Sequence, residues 1–331
     1  MYRKEKPLPL KSSASSLTNN LTVFISPEKG SMSYAVVHKS VVNVISSSLD
    51  GSTVTNRQVV CKEPSAVQQN TPMVIQAKWI SLPNRTVLVL TSLRGIQMFE
   101  SDGSAMIYWH ALGDPSSSDT QDQTNYGRGI AGVGDSCICV GTQIGEIHVF
   151  NVPAKGTNML LQESLVGHKH PICDLTSGPN KLVSSDEQGN IFIWSLQANG
   201  SLKQTESVIG KGVPCSSLVL WNDIIVGGYG DGQLRVYCAK TAKLAATVNA
   251  HARWVNAIDV APETGRILSV SEDTFAKVWQ LKEGTLPEIE YKYSESVTDL
   301  QLVGGQFIQK GGRGFCVTGY DNSDITFFVQ N

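Results

Sequence analysis

His251-Ala-Arg-Trp-Val255, followed by Ile267-Leu-Ser-Val-Ser-Glu-Asp273-Thr-Phe-Ala-Lys-Val-Trp279, is the stretch on which the fold turns. Its second part reads as an apolar strand, a short polar turn and another strand closed by an aromatic residue. The unit 268–279 has four further copies, at 88–99, 139–150, 183–194 and 226–237, closed by Phe99, Phe150, Trp194 and Tyr237. The closing aromatics are evenly spaced: 44 residues from Phe150 to Trp194, 43 from Trp194 to Tyr237, and 42 from Tyr237 to Trp279. A period near ~40–45 residues with paired strands is the signature of β-propeller blades. Such a unit cannot bury its faces alone. Packing beside neighbours, then closing the ring, removes apolar surface and open strand edges from water.

Working outward, strand patterns start near Leu21 and run to the end, separated by Gly, Asn, Asp, Ser and Pro. No segment shows a convincing helical period. The expected blades span residues 16–63, 73–112, 129–166, 170–208, 213–248, 255–293 and 297–331. The polar run 113–128 carries no strand pattern and reads as a loop on one rim. Blade seven offers strands at 297–302, 315–319 and 325–329, with an extra glycine-rich segment around 304–314, and then the chain ends. Its outer strand is missing. Residues 7–11 are the natural candidate to supply it, within an otherwise tail-like segment 1–16 rich in Ser, Lys and Pro. The expectation is one all-β propeller domain over 17–331 with seven blades; six or eight fit less well.

The copy ending at Trp279 resembles a WD-repeat blade. In that family a His before the inner strand, a Ser or Thr on the second strand, an Asp in the next turn and a Trp on the third strand form a buried hydrogen-bond chain. The resemblance places these roles on His251, Ser269, Asp273 and Trp279. The chemistry agrees: a buried Asp and His need partners, and an indole N–H needs an acceptor. The copy ending at Trp194 carries His168 and Ser184, but Gln188 stands where the Asp is expected. The copy ending at Tyr237 has Asp231 in the turn and no clear His. The remaining blades keep only the packing aromatic or less. On this reading only the Trp279 blade holds the full network.

The formal net charge is −2 over 331 residues. No basic field is available to attract nucleic acid or an anionic membrane. The start, MYRKEK, is basic with no apolar run behind it, and no stretch approaches the ~18 apolar residues of a membrane span, so a cytoplasmic protein is expected. The cysteine count is seven, an odd number, and most lie in apolar strands, which reads as reduced core thiols. Cys137-x-Cys139 with His148 lacks the ligand number of a zinc site. No metal or cofactor is expected.

Catalytic patterns give way to plainer readings. His251, Ser269 and Asp273 resemble a triad, but a nucleophile must face a substrate cleft, and these are expected inside the blade. The run 227–232 (GGYGDG) lacks the Gly-Lys-Ser/Thr ending of a phosphate loop and reads as a hairpin turn. No carboxylate, His or ligand cluster maps to the channel, so a channel enzyme is disfavoured. The Trp-Asp-x-Arg ending of ubiquitin-ligase substrate receptors is absent at Trp194 and Trp279. What remains is surface: a non-enzymatic platform for protein or peptide partners. In the WD-repeat family partners dock on the rim before the inner strand and in the turn after the second strand. The resemblance puts His170, Arg253, Trp254, Glu187, Tyr229 and Glu272 there, and Trp and Arg are frequent interface anchors. Trp254 is the favoured anchor. Trp79, Trp109 and Trp221 fall inside strand patterns and are expected to pack between blades.

Overall fold

The computed structural model describes residues 1–26, 30–62, 71–113 and 125–330. Among these every helix or strand is a strand, and the strands form seven sheets. The fold is a seven-bladed β-propeller. Six sheets are antiparallel meanders in chain order. Blade four, for example, is Ile172–Gly178, Lys181–Asp186, Ile191–Leu196 and Leu202–Val208, and blade six is Val255–Ala261, Arg266–Ser271, Phe275–Lys282 and Glu288–Ser296. The first strand of each sheet faces a central channel. Of the run 113–128, residues 114–124 lie outside the described residues, whereas Gly127 and Arg128 already belong to the inner strand of blade three, Gly127–Val133.

The core lies between blades rather than inside any one. One cluster joins Ile80 and Met98 of blade two to Ile130 and Phe150 of blade three. Another joins Val270 and Val278 of blade six to Leu302, Phe315 and Phe328 of blade seven. Each blade therefore completes its neighbour's hydrophobic core, and the repeat gains stability only by stacking. The five periodic aromatics, Phe99, Phe150, Trp194, Tyr237 and Trp279, are all buried. The other tryptophans divide. Trp79 is buried and donates to Ser101 O at 2.8 Å. Trp221 reaches the next blade, donating to Pro262 O at 2.9 Å across Gly265.

Around the channel, every seam between consecutive inner strands is bridged by a side chain to backbone hydrogen bond. Gln76 accepts the Gly129 N–H, Asp174 that of Leu218, Ser217 that of Ile258, Asp259 that of Phe307, Gln306 that of Val23, and Thr22 that of Trp79. At the seam of blades three and four, the Ser177 hydroxyl donates to Gly132 O. Strands that diverge too far for a shared ladder are thus still linked.

Blade seven differs from expectation in two places. Its inner strand is Leu302–Phe307, not 297–302, so the glycines at 304 and 305 lie within the strand. They are there for close approach: a Cβ at Gly304 would lie 2.6 Å from Leu21 Cβ, and one at Gly305 2.6 Å from Val270 Cγ1. The outer strand is supplied by the N-terminal segment in two pieces. Leu8–Pro9, within the expected 7–11, pairs with Ile325 and Asp324. Tyr2–Lys4, which carried no strand expectation, pairs with Phe328 to Gln330. Residues 1–16 are therefore built into the ring rather than a free tail. Tyr2 is buried, with ring centroids 5.0 Å from both Tyr293 of blade six and Phe315 of blade seven, and its hydroxyl donates to Gly312 O. A short aromatic wedge, invisible to strand periodicity, does much of the closing.

Candidate interaction surface at the channel mouth

The network of blade six forms as its residue types require. His251 lies 3.0 Å from Asp273 through Nδ1 and 2.8 Å from Ser269 through Nε2, and Trp279 Nε1 donates to Ser269 Oγ at 2.9 Å. An ionised carboxylate only accepts and an indole N–H only donates. The protons consistent with both ends put a hydrogen on His251 Nδ1, with Ser269 donating to Nε2. Burial holds the His251 pKa below its ordinary value, against the pull of Asp273. For Asp273 burial alone would raise the pKa, but the hydrogen bond and charge of His251 and the Ala252 and Phe275 N–H groups bring it down to about 2.

Blade four contains the same network, which corrects the expectation that Gln188 breaks it. His168 Nδ1 meets Asp186 at 2.8 Å, His168 Nε2 meets Ser184 at 2.7 Å, and Trp194 Nε1 donates to Ser184 at 3.0 Å. The carboxylate comes from Asp186, two residues ahead of the expected position. Asp186 also accepts the N–H groups of Gln188 and Asn190 at 3.0 and 2.9 Å and so holds its own turn. The signal was present in the sequence: Ser184 and Asp186 share one face of a strand by its period of two.

Tyr229 is not a rim residue. It is fully buried, its hydroxyl 2.9 Å from that of Tyr237, with the Arg235 guanidinium 3.9 Å from its ring centroid. Blade five has Gly227 where the network blades have Ser184 and Ser269, and the Tyr229 ring fills that space: a Cβ on Gly227 would lie 3.0 Å from it. Burial pushes the phenol far above its ordinary pKa.

The other expected rim residues fall on one arc over blades four to six. Arg253 is exposed and Trp254 half-buried, and their loop is pinned from several sides. Asp273 accepts the Ala252 N–H at 2.9 Å, Ser271 donates to Arg253 O at 3.2 Å, and the Glu272 N–H donates to Trp254 O at 3.2 Å. The Trp254 ring lies across Gly230 of blade five, where any Cβ would be 2.8 Å from it. Gly230 is thus a site residue that the sequence reading missed. The Trp254 Nε1 is enclosed and has no hydrogen-bond partner among the described residues. Arg253, Trp254 and Glu272 are brought together. Exposed His170 and half-buried Glu187 belong instead to blade four, where the Glu187 N–H donates to Pro171 O at 3.1 Å.

Residues of the inner strands line a cavity of about 170 Å³ in the channel. Contrary to expectation, two carboxylates, Asp174 and Asp259, stand on its wall with Lys78. Both accept backbone N–H groups of the next inner strand. Burial nevertheless raises their pKa values, that of Asp259 to about 6. Among the described residues no group of three or more His, Cys, Asp or Glu side chains is placed to hold a metal ion, and no helix is long and apolar enough to cross a membrane.

Seven blades, a non-covalently closed ring and two His–Ser–Trp–Asp networks define a WD-repeat β-propeller. The chain belongs to the WDR54 family, whose family model matches residues 1–330. It is 42% identical to WD repeat domain 54 of Rattus norvegicus over 340 residues, and 41% identical to WD repeat-containing protein 54 of Homo sapiens over 338, covering 99% of each chain in both cases. Half of the chain is also 27% identical to COMPASS component SWD3 of Saccharomyces cerevisiae. Among solved structures it is similar in fold to a chain of the mitotic checkpoint complex (TM-score 0.73, 15% identity, 99% and 96% of the two chains). The RRP9 WD40 repeats are alike to the same degree (TM-score 0.73, 12% identity, 99% and 100% of the two chains). WD-repeat propellers generally mediate protein interactions.

Proposed function

We propose that this chain is a non-enzymatic, cytoplasmic interaction platform that takes a protein or peptide partner at the channel mouth, with Trp254 as anchor and Arg253 and Glu272 beside it. One observation carries this reading. The loop presenting Trp254 is held by Asp273, Ser271 and Glu272, so the buried network of blade six sets the position of an exposed Arg and a half-exposed Trp. A side chain fixed before binding loses little entropy when a partner arrives. His170 and Glu187 extend the surface across blade four. The relative named as a COMPASS component is by that name a subunit of an assembly, which agrees with a partner-binding role. Nucleic acid is disfavoured by the near-neutral charge. A channel enzyme is disfavoured because both channel carboxylates are engaged by backbone N–H groups.

The test is affinity purification of the wild type and Trp254→Ala, with co-purifying proteins identified. The expected result is loss of at least one partner with a nearly unchanged melting temperature. An unchanged partner set, or a protein that no longer folds, would remove Trp254 from the site.

A further inference from the structure

We propose that the cavity at the seam between blade six and the closing strand is a binding site for a small oxyanion, a phosphate or carboxylate group, held by Arg266. The cavity, of about 200 Å³, has apolar walls from Tyr2, Val278 and Tyr293, with Arg266, Lys292 and Gln330 as polar lining. That is well above the ~10–15 Å³ needed by a single water.

Arg266 is the central observation. It starts the second strand of blade six, Arg266–Ser271, and reaches across the seam. Its Nη1 donates to Gln330 Oε1 at 2.8 Å, to Gly312 O at 3.2 Å and to the Tyr2 hydroxyl at 3.5 Å. All three acceptors are neutral. Nε and Nη2 donate to no described residue, and no carboxylate among the described residues pairs with this guanidinium. Two other strand arginines differ: Arg85 pairs with Glu100 at 2.9 Å and Arg235 with Asp231 at 2.8 Å. A guanidinium positioned by one nitrogen, with an adjacent Nε–Nη2 edge open, matches the two oxygens of a carboxylate or phosphate.

The surrounding charge supports this choice. Lys292 pairs with Glu290 at 2.9 Å, and Glu290 is shared with Lys282 at 3.2 Å, so one carboxylate is divided between two ammonium groups. Among the described residues that line the cavity, Arg266 and Lys292 are cationic side chains and none is an Asp or Glu. Glu295 is engaged by the Tyr293 hydroxyl and does not line the cavity. Gln330 gives its oxygen to Arg266, which leaves its amide NH₂ as a further donor. Because Tyr2 lines the same cavity, a bound anion would lie between blade six and the segment that closes the ring.

The experiment titrates wild type, Arg266→Met and Lys292→Met with sodium phosphate against sodium chloride at matched ionic strength, following thermal unfolding and binding heat. Parallel arms use O-phosphoserine and acetate, to separate free phosphate from a phosphate or carboxylate carried on a larger molecule. The wild type should show a saturable rise in melting temperature with phosphate. Its dissociation constant should weaken by about tenfold or more in Arg266→Met and about threefold in Lys292→Met. Arg266→Met also loses the Gly312 and Gln330 bonds, so only its anion-dependent increment counts. Lys292→Met keeps every seam contact and serves as the second probe. No saturable response in any arm, or equal increments in all three proteins, would overturn the site.

Discussion

Asp186 accepts the His168 Nδ1 hydrogen at 2.8 Å from a position two residues ahead of that held by Asp273 in blade six. Two blades thus build the same buried chain of groups from different turn geometries. In blade six the carboxylate also clamps the preceding loop through Ala252; in blade four it clamps its own turn through Gln188 and Asn190. The first arrangement fixes a loop that carries Trp254. The second fixes only a turn.

Asp186→Ala should therefore cost about 3 kcal/mol or more, because it leaves His168 and the turn N–H groups unpaired in the interior. Gln188→Ala, an exposed change, should stay within about 0.5 kcal/mol. Urea unfolding measures both. Equal effects would mean that Asp186 is not the structural acid of blade four.

Tyr2→Ala should destabilise by roughly 3 kcal/mol, the usual cost of removing a buried aromatic ring. Lys4→Ala on the same strand should be nearly silent, since its side chain is exposed. Deleting residues 1–12 should lower the melting temperature more than either. A deletion without effect would show that blade seven tolerates an open edge.

Tyr229→Phe removes one hydroxyl from the buried pair with Tyr237 and should cost about 1 kcal/mol while leaving the co-purifying partners unchanged. Gly230→Val should behave oppositely. It drives a side chain into the Trp254 ring, so partner recovery should fall as in Trp254→Ala, even where the melting temperature holds. A partner lost in Tyr229→Phe but kept in Gly230→Val would invert the assignment.

Acid should act on the fold in two directions. His251 is held below its ordinary 6.5, so the stability it contributes is present above that pH and is lost as pH falls toward its folded value. Asp273, brought from 3.8 down to about 2, loses its contribution only between those values. Asp259 runs the other way: raised from 3.8 to about 6, it contributes stability below pH 3.8 that is lost as pH rises to about 6. The stability of wild type relative to Asp259→Asn should therefore increase on going from pH 7 to pH 4 in urea unfolding. A difference that is flat with pH would mean that Asp259 titrates as an ordinary carboxylate.

Much of the ring was legible in the residues alone. Alternating apolar positions and turn residues depend on neighbours one to a few places apart, so the strands around Phe99, Phe150, Trp194, Tyr237 and Trp279 could be read directly. Glycine misled where it served packing rather than turning: Gly304 and Gly305 sit in a strand because Leu21 and Val270 come too close for a Cβ. Tyr229 misled for the converse reason, since a tyrosine beside a turn resembles a rim residue until Gly227 is seen to leave room beneath it.

The strand period and the spacing of the aromatics by themselves determined a repeating array of blades; strand counting favoured seven, and the resemblance of one copy to a WD-repeat blade implied the network at His251, Ser269, Asp273 and Trp279. Only the tertiary structure decided that Asp186 completes a second network and that Tyr2 wedges the ring shut. It also decided that Trp254 rests on Gly230, and that Arg266 has no carboxylate partner among the described residues. The division follows from distance along the chain. Backbone periodicity is local and leaves its mark in every short window. The contacts between Tyr2 and Gly312, or between Trp254 and Gly230, join residues on different blades, and exist only once the ring has closed.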